Sequence, residues 1–417
     1  MDMREKTNGV ETSASKTALF HVVEALTEEN MEKVVRWRRH LHSRPELSFE
    51  EFDTADFIVE KLTAMGYTVK RNVGGTGVVA TFESGKEGPV IAFRADMDAL
   101  PILEETGLPF ESERAGLMHA CGHDGHMAIL LGTAQIISQL KEAFCGTIKF
   151  IFQPGEEANG GAKCVIHDGV LKNPDVEGIF GLHMIPELPV GTIGIKAGYL
   201  SATDDEFVIR VQGKGAHSSE PETGVNAIVI ASHIVTAMDS ILSHNINPFD
   251  VATLSICQIN GGDAINVVPD SVEMRGMLRC IEKADKEKIR KKMENIARHT
   301  AQALGGESEI EFIPGFPSVN NDPALTKITM KAASQVLNRE EDLFLIERPH
   351  MGSEDFAYYQ EEVPGVMFML GCSQEEVDTG TLHSPTLNIN EKSFSYGIKI
   401  FTAIALEVCG LNSAEDR

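Results

Sequence analysis

Apolar and polar positions along this chain recur with two periods, and the changes of period mark its elements. Residues 28–42 place Met31, Val34, Val35, Arg38 and Leu41 at helical spacing, and Pro45 stops the helix. A second helix is predicted over 50–65, with Phe52, Ala55, Phe57, Ile58 and Leu62 on one face and Gly66 ending it. Three short apolar runs follow, each leading into polar, reactive residues. The run 90–93 leads into Arg94-Ala95-Asp96-Met97-Asp98, 148–152 into Gln153 through Glu157, and 179–182 into His183. Between the first two, 127–144 reads as a long helix. This strand–helix–strand alternation predicts an α/β fold, a mixed, largely parallel sheet flanked by helices. Ligands gather beyond the carboxyl ends of such strands, so clusters distant in sequence are expected to converge.

From about 199 to 313 the pattern changes. Residues 206–212 alternate as a strand, 226–242 form a helix, and 251–259 and 271–281 are strands. A charged helix at 283–304 and a last strand at 309–313 complete the order strand, helix, strand, strand, helix, strand, a ferredoxin-like α+β module. Its insertion divides the first domain into the segments 17–198 and 314–417. The second segment carries a strand at 366–370 and a final helix from about Lys392. The small, polar and charged residues 1–16 are predicted to be disordered.

Composition narrows the function classes. The length of 417 residues suggests roughly two domains. A net charge of −25, one Trp and five Tyr argue against nucleic acid, which needs a basic patch and stacking aromatics. Seven scattered cysteines, an odd number, read as reduced thiols in a cytoplasmic protein. The polar N-terminus has no apolar core of a signal peptide, and no run of 18 apolar residues predicts a membrane span.

Two motifs carry chemistry. Met118-His119-Ala120-Cys121-Gly122-His123-Asp124-Gly125-His126 packs one thiol and three imidazoles into nine residues. Cys121 and His123, two residues apart, can share one metal or bridge two. The glycines let backbone and ligands approach closely. His126, at a helix start, and His119 read as structural or supporting. Ile151-Phe152-Gln153-Pro154-Gly155-Glu156-Glu157 sets two carboxylates beside each other after an apolar run. In isolation they suit an exposed acidic turn. As a functional pair, one binds metal and the other moves a proton. His183 and His383, taken singly, read as hydrogen-bonded histidines.

These motifs together resemble the metallopeptidases of family M20, and specifically the amidohydrolases of subfamily D, which include hippurate hydrolases, aminoacylases and auxin-conjugate hydrolases. The resemblance runs from Trp37-Arg38-Arg39-His40-Leu41-His42 through Pro45-Glu46-Leu47-Ser48-Phe49-Glu50-Glu51 and Arg94-Ala95-Asp96-Met97-Asp98. It continues through Gly213-Lys214-Gly215-Ala216-His217-Ser218 and Asn266-Val267-Val268-Pro269 to Gly352-Ser353-Glu354-Asp355-Phe356 and Leu382-His383-Ser384-Pro385. It implies two divalent ions per subunit, Mn²⁺ or Zn²⁺, with Co²⁺ or Ni²⁺ also compatible with the ligands. Cys121 bridges them, Glu157 and His383 complete one site, and His123 and His183 the other. Glu156 is the implied general base and acid, and Asp96 a support for a ligand imidazole. Other branches of the family place a His where this chain has Arg94 and an Asp where it has Cys121. The inserted module is the implied lid and homodimerisation domain. His217 becomes the oxyanion donor, and Asn266 and Arg279 contact the substrate carboxylate, although Arg279 equally suits a structural ion pair.

The expected activity is amide cleavage of N-acyl-L-amino acids in the cytoplasm, with no nucleic-acid or membrane partner. Dipeptidase, carboxypeptidase or N-acetyl-diaminopimelate deacetylase activity on the same scaffold stays open. So do a non-catalytic metal-binding protein and a metal-free Cys121 nucleophile with His123 or His126 as base.

Overall fold

The computed structural model describes residues 3–158, 160–374 and 378–411, with side chains from residue 18 onward. The chain divides into two compact units. The first comprises Met1–Gly198, Asn320–Glu347 and Tyr358–Arg417, and the second Tyr199–Val319 and Arg348–Ala357. The boundary expected at 313 thus falls at Val319, and a short later segment joins the second unit.

The first unit is built on an eight-stranded sheet. Its spatial order is Thr68–Val73, Gly77–Glu83, Thr147–Gln153, Val90–Asp96, Gly178–Pro189, Gly365–Ser373, Ile193–Ile195 and Leu343–Leu345. The central neighbours run parallel, from Thr147–Gln153 across to Gly365–Ser373. Antiparallel pairs lie outside them, so the sheet is mixed and largely parallel at its centre. The central strands read as near-continuous apolar runs because both faces are covered. The helices Met3–His42, His123–Gln139 and Ser393–Cys409 pack against one another and share one core with the sheet, including Phe93, Phe150, Phe180, Phe368 and Phe401.

Two elements depart from the sequence expectation. The first helix begins at Met3, taking in most of the segment expected to be disordered. Once a packed helix exists, each added polar turn forms without a new nucleation cost. The helix expected at 127–144 runs instead over His123–Gln139, followed by a short 3₁₀ turn. Gly122, at φ 84°, permits the abrupt start one turn early.

The second unit holds a four-stranded antiparallel sheet in the order Ala252–Asn260, Ser271–Cys280, Asp205–Gln212 and Glu307–Pro314. With the helices Ala227–Asn245 and Lys283–Ala303 on one face, this is the ferredoxin-like arrangement. Asn226 caps the first helix, accepting the amide N–H groups of Ile228 and Val229. Among the described residues, Ala227–Asn245 is long and apolar enough to cross a membrane. Here its Ile230, Ile234, Met238 and Ile241 fill the core of the second unit.

Candidate active site

The reactive residues of the first unit gather where its central strands end. Asp96 closes the strand Val90–Asp96, and Gln153 closes Thr147–Gln153 just before Glu156 and Glu157. His183 was expected at a strand end. Its strand continues to Pro189 because Gly365–Ser373 keeps pairing alongside it. Pairing with Val90–Asp96, however, stops at Arg94 and Gly181, so His183 stands just past that neighbour.

Two donor triads share one thiol. Cys121, His123 and His183 form one, and Cys121, Glu157 and His383 the other, with the ligand atoms of each triad all within 4.8 Å of one another. Cys121 Sγ lies 3.5 Å from His183 Nε2, and His383 Nε2 lies 3.3 Å from Glu157 Oε1. The structure thus brings together all five predicted ligands. Glu156 is buried beside them, its carboxylate within 4.8 Å of a donor atom of His123 and of Glu157.

The hydrogen bonds fix which nitrogens face the triads. His123 Nδ1 donates to the Asp98 carbonyl at 2.9 Å, leaving Nε2 buried without a hydrogen-bond partner. His183 Nδ1 donates to the Met184 carbonyl at 2.9 Å, leaving Nε2 toward Cys121. His126 differs. Its Nε2 accepts the Met184 amide N–H at 2.9 Å, so Nδ1 donates to Asp96 Oδ1 at 2.7 Å and no lone pair remains. Asp96 Oδ2 itself lies 3.6 Å from His123 Nε2, while the carbonyl of Asp98 orients that ring through Nδ1. His383 sits at φ 62° in a loop, tied by its amide N–H to the Ala120 carbonyl at 2.7 Å.

The electrostatics suit cations. Burial alone would raise the Asp96 pKa, but His123, His126 and Arg94 hold it well below the usual carboxylate range. Arg94, buried, donates to Asp96 at 2.7 Å and to Gln153 at 2.8 Å. Burial lowers the His123 pKa, but Asp96 and Cys121 override it and hold that imidazole well above its ordinary value. Surroundings that favour a proton at Nε2 favour a metal ion at the same lone pair. Burial and neighbouring His126 push His183 down to about 3, so its imidazole is neutral and ligating at neutral pH. Burial pushes the Cys121 thiol up to about 12 against the pull of His123. That opposes a metal-free thiolate nucleophile and fits a thiol that would release its proton on binding a metal ion. His123 Nε2 and Glu157 Oε1 are buried without a hydrogen bond, a need that bound ions would satisfy.

His217, Asn266 and Arg279 belong to the second unit. His217 is exposed on a two-residue strand paired with Val267–Val268. Its Nδ1 accepts the Ser219 amide N–H at 3.1 Å, so Nε2 carries the proton. Asn266 lies beside it, its carbonyl accepting the Ser218 N–H at 3.0 Å. Arg279 donates to the Met351 carbonyl at 2.7 Å, a structural contact.

Sequence reasoning gave no role to Asp98 or Asp124. Asp98 Oδ2 accepts the Glu157 amide N–H at 3.0 Å, so this residue ties both triads to one strand exit. The Asp-x-Asp spacing at the end of an apolar run was its signal. Asp124, fully buried, accepts from Arg38 Nε and His42 Nδ1, each at 2.7 Å. Arg38 on the apolar face of the first helix was the signal for that partner.

Residues 92–407 match the family described as peptidase family M20/M25/M40. The chain belongs to this family, and it is an enzyme of it. It is 37% identical over 385 residues to an N-acetylcysteine deacetylase of Bacillus subtilis, covering 90% of this chain and 97% of that one. It is likewise 37% identical over 403 residues to the IAA-amino acid hydrolase ILR1-like 2 of Arabidopsis thaliana, covering 95% and 89%. The crystal structure of the Bacillus subtilis YXEP protein, a dinuclear metal-binding peptidase of family M20, superposes with a TM-score of 0.80 at 35% identity, covering 91% of this chain and 99% of that one.

Proposed function

We propose that this M20 enzyme is a binuclear metal-dependent amidohydrolase that cleaves N-acyl-L-amino acids to a carboxylic acid and a free amino acid. The observation that carries the reading is the pair of donor triads sharing the Cys121 thiol, with a buried carboxylate beside them. The named activities of the two relatives support the substrate class.

Cys121, Glu157 and His383 would hold one ion, and Cys121, His123 and His183 the other. When bound, such ions polarise the scissile carbonyl and acidify the attacking water. Glu156 would serve as general base toward the attacking water and as general acid toward the leaving amine. The carbonyls of Asp98 and Met184 keep His123 and His183 in their working tautomers. His217, with its proton on Nε2, is the proposed oxyanion donor. Asn266 and Arg279 are the proposed contacts for the substrate carboxylate, a group that a guanidinium binds bidentately. The mixed thiolate, imidazole and carboxylate set suits Mn²⁺ or Zn²⁺, and also Co²⁺ or Ni²⁺. We assign lid and homodimer roles to the second unit, and place the enzyme in the cytoplasm because its seven cysteines are free.

The test is hydrolysis of N-acetyl-, N-benzoyl- and N-indoleacetyl-L-amino acids by chelator-stripped protein, with and without added Mn²⁺ or Zn²⁺. Amino-acid release only with metal is expected. Turnover indifferent to metal overturns the mechanism. No turnover by protein carrying two ions per chain overturns the substrate class.

A further inference from the structure

The motif from Pro45 to Glu51 supplies no donor to either triad, yet it surrounds the turn that carries Glu156 and Glu157. Glu51 is fully buried. One of its oxygens accepts the Gly155 amide N–H at 2.9 Å, and the other accepts the Thr76 hydroxyl. Ser48 Oγ donates at 2.6 Å to Asp98 Oδ2, the same oxygen that receives the Glu157 amide N–H. The backbone amides on both sides of Glu156 are therefore held by carboxylates from distant parts of the chain.

Phe49 completes the clamp. It adopts φ 64°, a conformation a bulky side chain rarely takes and one that persists only where the surroundings impose it. Its ring lies against Gly155, where an added Cβ would fall 2.6 Å from the ring Cζ. Gly155 itself sits at φ 63°, so the turn requires glycine both for its backbone and for the ring above it. Strain and burial spent on a segment that binds no metal point to positioning.

We propose that Glu51 is a positioning residue for the hydrolytic reaction: by pinning the Gly155 amide it fixes the Glu156 carboxylate at its working place. The proposal rests on Glu156 being the general base. A carboxylate is suited to the task because both groups it faces are donors, and a displacement of about 1 Å in a catalytic group is enough to cost on the order of 10²-fold in rate.

The experiment compares Glu51→Ala, Glu51→Gln, Thr76→Val, Glu156→Gln and the double variant Glu51→Ala/Glu156→Gln in the metal-loaded full-length enzyme. Metal content, kcat and KM are measured for each. Glu51→Ala is expected to keep two ions and an unchanged KM while losing roughly 10²-fold in kcat. Glu51→Gln, which retains an acceptor for Gly155, recovers most of that loss. In the Glu156→Gln background the Glu51→Ala change costs less than about 2-fold, because the group it positions is gone. Should Glu51→Ala fail to fold, Thr76→Val carries the same signature at about 10-fold. A near-wild-type kcat in Glu51→Ala beside an inactive Glu156→Gln removes the clamp and leaves the base. Losses that multiply in the double variant, or that appear in metal content or KM, also overturn it. An active Glu156→Gln sinks the base assignment and the clamp with it.

Discussion

His123 and His126 lie three residues apart on one helix, and their hydrogen bonds send them to different tasks. A backbone carbonyl takes the Nδ1 proton of His123 and frees Nε2 for a cation, whereas His126 spends both nitrogens on Asp96 and Met184. Asp96→Asn should therefore weaken metal binding about 10–100-fold without removing a ligand. Isothermal titration with Zn²⁺ reads this, and unchanged affinity counts against the supporting role. Glu156→Gln should hold two ions yet lose at least about 10²–10⁴-fold in kcat, the usual contribution of general acid–base catalysis. Cys121→Ala should lose metal as well as activity. Full metal content by mass spectrometry in that variant would refute the bridging thiolate.

At the scale of elements, the helices Met3–His42 and His123–Gln139 are joined by a buried charge network. Arg38 and His42 meet Asp124 at the first turn of the ligand-bearing helix, and His42 also meets Glu104 at 3.0 Å. Burial would raise the Asp124 pKa, but Arg38 and His42 depress it far below the ordinary 3.8. Between the two values the unfolded chain binds more protons, so stability rises with pH there. The contribution is complete above the ordinary value and lost only as pH falls through the depressed one. Asp124→Asn strands a buried guanidinium and should cost about 3–5 kcal/mol at pH 7 by urea unfolding. That difference should narrow only below about pH 4. A gap that narrows already between pH 7 and 5 would contradict this pairing.

At the scale of the molecule, the proposed homodimer would be formed through the second unit. The edge strand Ala252–Asn260 pairs, among the described residues, only with Ser271–Cys280. It carries no charged residue in a chain of net charge −25, although solitary edges are usually protected by charge. Ile259 on this strand is 54% exposed, and Ile228 and Val229 on the helix Ala227–Asn245 are exposed as well. Ile259→Lys should shift the sedimenting species from dimer to monomer while the isolated chain stays folded. A wild-type chain that sediments as a monomer would remove the proposed interface. Bound ions should also raise Tm, by an amount that grows with the logarithm of their concentration relative to Kd, because the donors of each triad come together only in the folded chain.

The sequence by itself determined most of the elements, the insertion of a βαββαβ module and the candidacy of Cys121, His123, Glu156 and Glu157. Periodicity is a local property, and the Cys-x-His and Glu-Glu spacings place reactive groups directly after apolar runs. The family resemblance supplied the grouping of the five metal donors, which no spacing reveals: His183 and His383 are separated by about two hundred residues and look ordinary alone. Only the tertiary structure decided which histidines keep a free lone pair, because that depends on carbonyls and amides contributed by other strands. It also gave work to residues that carry no chemistry themselves. Glu51, Asp98 and Asp124 read locally as members of acidic clusters in an acidic protein. Their roles arise because parallel strands and long helices bring buried donors to them from far along the chain, and burial makes each such hydrogen bond costly to lose.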